Sequence, residues 1–516
     1  MNIKQAKEQI KKTVRLYFSK DSLGNYDLEA AKQRPVFLMG PPGIGKTAIV
    51  QQVAAELKVG FVSYSMTHHT RQSALGLPFI AEREFQGKQY HIAEYTMSEI
   101  IASVYKEMEQ TGCTEGILFL DEMNCVSETL SPAMLQFLQY KTFGTHKVPE
   151  GWLVVAAGNP AEYNNSVREF DLATWDRLKR MDVEPDFAAW KEYAKEQEVH
   201  PAVLTFLELH PDYFYHIERT VDGRDFVTAR GWEDLSSMLH LYEKNNVETD
   251  EVLFGQYLQY PKLAEEFAVY YELYRKYQSD YQIGQILAGK APEAIYDRAK
   301  DALQDERIAL AGMIGSAVKK EAAHVMMAEQ ALLVLRDWLR EMKENMPVQN
   351  VLQKFQDTIA EKTENYKENV HSGNIGKQER KQEEYTLLFF KETVSEAWKA
   401  INEAERNTPE QNFAGQNGTE QDEFELFKSV YSRKVAEMQE EAKAFGKSME
   451  HALSFTDNVF GEKTELLLLL SELTHDYACS RFLARHGNDA YYHYSRELML
   501  DERLEQLRSI VDIGAF

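Results

Sequence analysis

Residues 40–47 read Gly-Pro-Pro-Gly-Ile-Gly-Lys-Thr, directly after the apolar run VFLM and directly before a helical pattern. This is a spacing that can hold phosphate. Glycines at 40, 43 and 45 let the backbone curl so that successive amides point inward, Lys46 brings a mobile cation, and the Thr47 hydroxyl can ligate magnesium. Gly40, Pro41, Pro42, Gly43, Ile44, Gly45, Lys46 and Thr47 are therefore the candidate cradle for a nucleotide. Further on, Ile117-Leu-Phe-Leu ends in Asp121 and Glu122. A carboxylate at that place can hold the metal directly or through water, and the adjacent Glu122 is free to polarise an attacking water. A pure nucleotide holder has no need of Glu122, so the pair points to hydrolysis. A third run, Leu153-Val-Val-Ala-Ala-Gly, ends in Asn159-Pro160. Asn159 either orients the lytic water or opens an Asn-Pro turn.

These residues need a frame that brings strand ends together. From about 35 to 185, strand-like runs (PVFLM, GFVSYSM, GILFLDE, GWLVVAAGN) alternate with amphipathic helical stretches. That alternation predicts an α/β core, a parallel sheet with flanking helices, with its ligands outside the carboxyl edge. After Pro185 the pattern reads as helix only. The expected division is 1–185 for the nucleotide-binding core, 186–300 for a helical domain, and 301–516 for a large all-α region. Flexible connectors are expected near 362–384 and 404–423, where Asn, Gly, Gln and charge accumulate.

A chain of 516 residues is too long for one core, and 44% hydrophobic with 11% aromatic residues suits a folded protein. A formal net charge of −24 repels phosphate backbones and argues against nucleic acid as the main partner. The three cysteines form no CxxC pair, which suits a reducing compartment. The leucine run at 466–470 is far too short to span a bilayer, so a cytoplasmic location without membrane insertion is expected. His68-His69, and His475 with Cys479, lack further ligands at metal spacing and read as loop and core helix. Stripes such as LLVLRDWLREM and LLLLLSELTHDYACSRFL read as core faces of long helices.

With the three motifs in order, the chain resembles the AAA+ ATPases, and among them the MoxR group. GPPGIGKT is the loop form of that superfamily, LDEMN resembles the LDEiN of MoxR proteins, and AAGNP resembles their sensor-1 segment. LGLPFI, VPEGWLVVAAGNPAEYNNSV, WDRLKRMDVEPD and HPAVLTFLELHP extend the similarity, which covers about residues 30 to 290. The resemblance implies a P-loop AAA+ core followed by a helical lid, with ATP and Mg2+ as ligands. Lys46, Glu122 and Asn159 would be catalytic, and Thr47 and Asp121 would hold the metal. Arg177 matches the arginine finger that reaches a neighbouring subunit's γ-phosphate, with Arg180 as its understudy. Arg230 matches the sensor-2 arginine of the lid. Leu178 and Ala229 stand where the family usually has Phe and Pro. Salt bridges with Asp176 and Glu233 are the structural alternatives for Arg177 and Arg230.

A finger in trans implies head-to-tail contacts that close into a homohexameric ring. Family members also carry a hairpin-like insertion before Asp121, with Phe79, Phe85 and Tyr90 as the corresponding aromatics here. They act as chaperone-like remodellers of a protein client, often one with a von Willebrand factor A domain. Two other functions share the same core: a nucleotide-gated switch with incidental turnover, and a nucleic-acid motor.

Overall fold

The computed structural model describes residues 1–68, 74, 76–143, 146–163, 167–168, 170–220, 223–344, 351–371, 376–407, 416–460 and 463–498. It divides into two compact units, Met1–Ala194 with His210–Phe267, and Lys195–Leu209 with Ala268–Phe516.

The first unit is built on five parallel strands. They are β1 (Val36–Met39), β2 (Gly60–Ser65), β5 (Gly116–Asp121), β8 (Trp152–Gly158) and β9 (Lys179–Asp182), in the order β2-β5-β8-β1-β9. The four strands read from the sequence are all there. The fifth, β9, was missed because Lys-Arg-Met-Asp has one apolar residue, as an edge strand can afford.

Alternate residues of the central strands feed two cores. Phe37, Leu118, Leu120, Val154 and Ala156 pack with α3 (Glu99–Thr111) and α4 (Ser131–Tyr140). Val36, Leu38, Ile117, Phe119, Leu153 and Val155 pack with α1 (Ile3–Tyr17) and α2 (Lys46–Leu57). Burial on both faces is why these strands are continuously apolar rather than alternating.

Between β2 and β5 stands an antiparallel hairpin, β3 (Pro78–Phe85) with β4 (Lys88–Tyr95). Its two-residue turn uses Gln86 and Gly87, both at positive φ, the backbone a tight hairpin needs. Phe79, Phe85 and Tyr90 are 44%, 54% and 49% exposed, so they are surface rather than core residues. Two short strands, β6 (Thr142–Phe143) and β7 (His146–Lys147), pair after α4.

Strands do not stop at Pro185, as the helical pattern predicted. Beyond α5 (Leu172–Trp175) and α6 (Phe187–Glu196), β10 (His216–Thr220) pairs with β11 (Gly223–Val227). The Asp222-Gly223 dipeptide between runs rich in Ile, Thr, Phe and Val is a hairpin signal that the reading passed over. Then follow α8 (Ala229–Lys244), capped by the Thr228 side chain, and α9 (Glu251–Tyr257).

The second unit is helical, and includes α7 (Pro201–Leu209). Its spine is α13 (Gln304–Glu344), which follows α10 (Pro261–Tyr281), α11 (Ile283–Leu287) and α12 (Glu293–Lys300). Leu310, Ile314 and Val318 near one end of α13 pack with Phe445 and Met449 of α16 (Gln416–Val459) and Leu466, Leu469 and Leu473 of α17 (Thr464–His475). Leu335, Leu339 and Met342 at the other end pack with Phe355 of α14 (Val351–His371) and Phe390 of α15 (Lys377–Asn407). Buried Glu472 is held 2.8 Å from Lys319. Helix runs through much of both polar stretches expected to be connectors: α14 extends to His371, α15 spans 377–407, and α16 begins at 416. Glu, Lys and Gln are good helix formers and outweigh the polarity there; residues 372–375 and 408–415 lie outside the described residues. So does His69, while His475 Nδ1 bonds Ser471 O at 2.7 Å and Cys479 is buried in α18 (Tyr477–His486).

Candidate functional site

β1, β5 and β8 run parallel, so the loops after Met39, Asp121 and Gly158 leave from one edge of the sheet. The loop after β1 curls through Gly43 at φ 76° and Gly45 at φ 89° into α2. Gly45 is required for its backbone alone, since a Cβ there would meet open space. Gly40 is required for closeness: a Cβ there would lie 2.5 Å from the Val183 carbonyl. The carbonyls of residues 40 to 43 each accept a hydrogen bond. Lys46 Nζ donates to Gly40 O and Pro41 O, both at 2.8 Å. The Tyr215 hydroxyl donates to Pro42 O at 2.9 Å, and the Arg230 amide to Gly43 O at 3.3 Å. Ile44 is buried in the core beneath the loop.

The third hydrogen of Lys46 goes to Asn159 Oδ1 at 2.8 Å. The ammonium is buried, and its pKa falls to about 8. Loss of water is the main cause, and Arg230 adds repulsion, while Asp121 and Glu122 act in the opposite sense. Lys46 thus sits as a desolvated cation at the loop, where a polyphosphate could take the place of its acceptors.

Thr47 Oγ1 donates to Asp121 Oδ2 at 2.8 Å, and the Glu122 amide to Asp121 Oδ1 at 2.9 Å. A hydroxyl and a carboxylate oxygen side by side at the mouth of the loop fit a hard divalent cation such as magnesium. Glu122 stands in the left-handed region at φ 55°, which costs an L residue energy and swings its carboxylate off the strand. Its Oε2 accepts from Thr67 Oγ1 at 3.0 Å and Ser65 Oγ at 3.3 Å.

Asn159 belongs to this cluster through its side chain, while Tyr163 N bonds Pro160 O at 3.1 Å in the turn that follows. Its backbone is pinned by buried Asn124, whose Nδ2 donates to Asn159 O at 2.7 Å. A Cβ on Gly158 would lie 2.4 Å from Asn124 Oδ1, so the two loops admit no larger residue there.

The structure brings Lys46, Thr47, Asp121, Glu122 and Asn159 together, and Arg230 near them through its backbone bond to Gly43. Arg177 stands apart: it is exposed, with Nη1 bonded to Ala173 O at 2.5 Å. Arg180 is engaged within the chain, 2.8 Å from Asp182 Oδ1 and stacked on Trp175 at 4.7 Å. Glu233 accepts from Trp190 Nε1 at 2.9 Å. Sequence reasoning gave no role to Ser65, Thr67, Asn124 or Tyr215. Asn124 could have been suspected as a polar residue beside an acidic strand end; the others carry no signal at all, since their partners are distant in the chain.

Residues 35–178 match the family model described as the AAA domain (dynein-related subfamily). The match runs from β1 through Arg177, the segment that carries every loop described above except those after β9. It supports an AAA+ ATPase, with ATP as the nucleotide and magnesium as the usual metal. No curated protein matches the chain.

Proposed function

We propose that this chain is a MoxR-like AAA+ ATPase that works as a cytoplasmic homohexameric ring and remodels or activates a partner protein, one with a von Willebrand factor A domain being the leading candidate. The observation that carries the reading is the contrast between two arms. Glu122 sits inside the phosphate cluster, whereas Arg177 is exposed at the surface, with Nη1 on the carbonyl of Ala173 and its charge near Asp171. An exposed arginine of this kind can turn to a neighbour's nucleotide, whereas Arg180 would first have to leave both Asp182 and Trp175.

The loop amides and Lys46 would bind the triphosphate, and Thr47 with Asp121 would hold Mg2+, which when bound neutralises charge between the phosphates. Glu122 would take the proton of the attacking water, Asn159 would orient that water, and Arg177 of a second copy would stabilise charge on the terminal phosphate. Arg230 would report the nucleotide to the helical lid, and the exposed β3–β4 hairpin with Phe79, Phe85 and Tyr90 would face the ring axis. Among the described residues no helix is long and apolar enough to cross a membrane. The acidic chain favours a protein client over nucleic acid.

The test is subunit mixing. Homotypic Glu122→Gln and Arg177→Ala assemblies should each lose at least about 100-fold in ATP turnover. An equimolar mixture should recover about a quarter of the wild-type rate, because random assembly pairs an intact Glu122 with an intact neighbouring Arg177 at that frequency. Recovery of nothing would place both residues in one subunit's site and remove the ring.

A further inference from the structure

The base of the β10–β11 hairpin grips the phosphate loop at two neighbouring points. His216 pairs with Val227 as the first rung of that ladder, so Tyr215 and Thr228 flank its open end. On one side the Tyr215 hydroxyl donates to Pro42 O at 2.9 Å. On the other, Thr228 lies so close that a Cβ on Gly43 would stand 2.8 Å from it, and two residues on the Arg230 amide reaches Gly43 O at 3.3 Å.

We propose that this hairpin base is a clamp that sets the shape of the phosphate loop, with Tyr215 as its positioning residue. The inference rests on the nucleotide-hydrolase reading given above. An anion cradle works only while consecutive amides face inward, and that requires the intervening carbonyls to be held outward by donors. Gly40 and Pro41 lean on Lys46, the one group that must turn toward phosphate when a nucleotide arrives. Pro42 and Gly43 lean instead on groups the nucleotide does not recruit. Pro42 has no N–H, so its carbonyl is the only polar handle by which that residue can be held. The Tyr215 ring packs on the cluster that contains Ile44 and Val183, and burial keeps its hydroxyl protonated and able to donate at every working pH. Displacement of the hairpin base withdraws the Tyr215 donor and the Thr228 contact, loosens the cradle and releases phosphate. The clamp thereby makes nucleotide release answer to whatever moves β10 and β11.

The full-length chain tests this with Tyr215→Phe, which deletes the hydroxyl and keeps the ring. ADP dissociation, followed with a fluorescent ADP analogue, should quicken about 3- to 10-fold, the range of one hydrogen bond. The change should be equal for the guanine analogue, because the clamp acts on the loop and not on the base. Hydrogen exchange of the wild-type chain supplies a check that needs no variant: amides of 43–47 and of 223–228 should open at one rate. Unchanged ADP release in a folded Tyr215→Phe, or loop amides that exchange independently of the hairpin, overturns the clamp while leaving the ATPase reading intact. A wild-type chain that binds no nucleotide overturns both.

Discussion

The ammonium of Lys46 lies 2.8 Å from the carboxamide oxygen of Asn159, 113 residues further along the chain. That bond closes the mouth of the phosphate loop onto the end of β8, and it leaves the buried amine with three acceptors and a pKa near 8. A phosphate entering the loop must replace at least one of these partners.

The first prediction follows from that pKa. Below pH 8 the amine already carries its proton, so affinity for ATP should be level. Above pH 8 the free protein has lost the proton and binding must restore it, so the ATP Kd should rise by up to about tenfold per pH unit. Calorimetry in buffers of different ionisation enthalpy should show proton uptake on binding at pH 8.5 and little at pH 7. A Kd that is flat from pH 7 to 9.5 would remove the argument.

Glu122 offers a second test, because two hydroxyls share one of its oxygens. Those donors occupy an oxygen that a lytic water would otherwise use. Thr67→Ala should therefore raise basal ATP turnover by about 2- to 5-fold, measured as steady-state phosphate release. A fall in rate would mean that Thr67 holds the base in its working position instead.

Asn124 is buried and spends its amide on Asn159 O. Asn124→Ala leaves that carbonyl without its donor and should cost about 1–3 kcal/mol of stability. It should also lower kcat more than it raises KM, since Asn159 loses its fixed position while the loop amides stay. Urea titration and steady-state kinetics on one preparation separate the two effects. Equal stability and equal kcat would show the contact to be idle.

Lys141 provides a control far from this chemistry. It is buried, burial alone brings its pKa down to about 8, and its Nζ has Gln33 Oε1 at 3.0 Å as partner. The fold thus favours the neutral amine, and at pH 7, below the folded value, the full penalty for charging it is present. Stability from this group rises between pH 8 and the unfolded value of 10.5. Lys141→Met should stabilise the protein by about 1–2 kcal/mol at pH 7, after the loss of the Gln33 bond is allowed for, and the gain should shrink toward pH 10.5. Melting curves at pH 7 and pH 10 decide it; a destabilised variant at pH 7 would contradict the argument.

The sequence by itself determined the chemistry that is local. Gly43, Gly45, Lys46 and Thr47 had to form the loop because positive φ and a helix start are properties of a few adjacent residues. The central strands were legible because burial on both faces demands unbroken apolar runs, and the Asp121-Glu122 pair was legible because acids ending such a run are conspicuous. Only the tertiary structure decided what pairs residues far apart: Ser65 and Thr67 with Glu122, Asn124 with Asn159, Tyr215 with Pro42. Polar partners across the edge of a parallel sheet are set by strand order and not by spacing, and β9, charged and at the edge, carried too little apolar signal to announce that order. For the same reason only the structure shows that Trp175 and Asp182 hold Arg180 while Arg177 stays exposed.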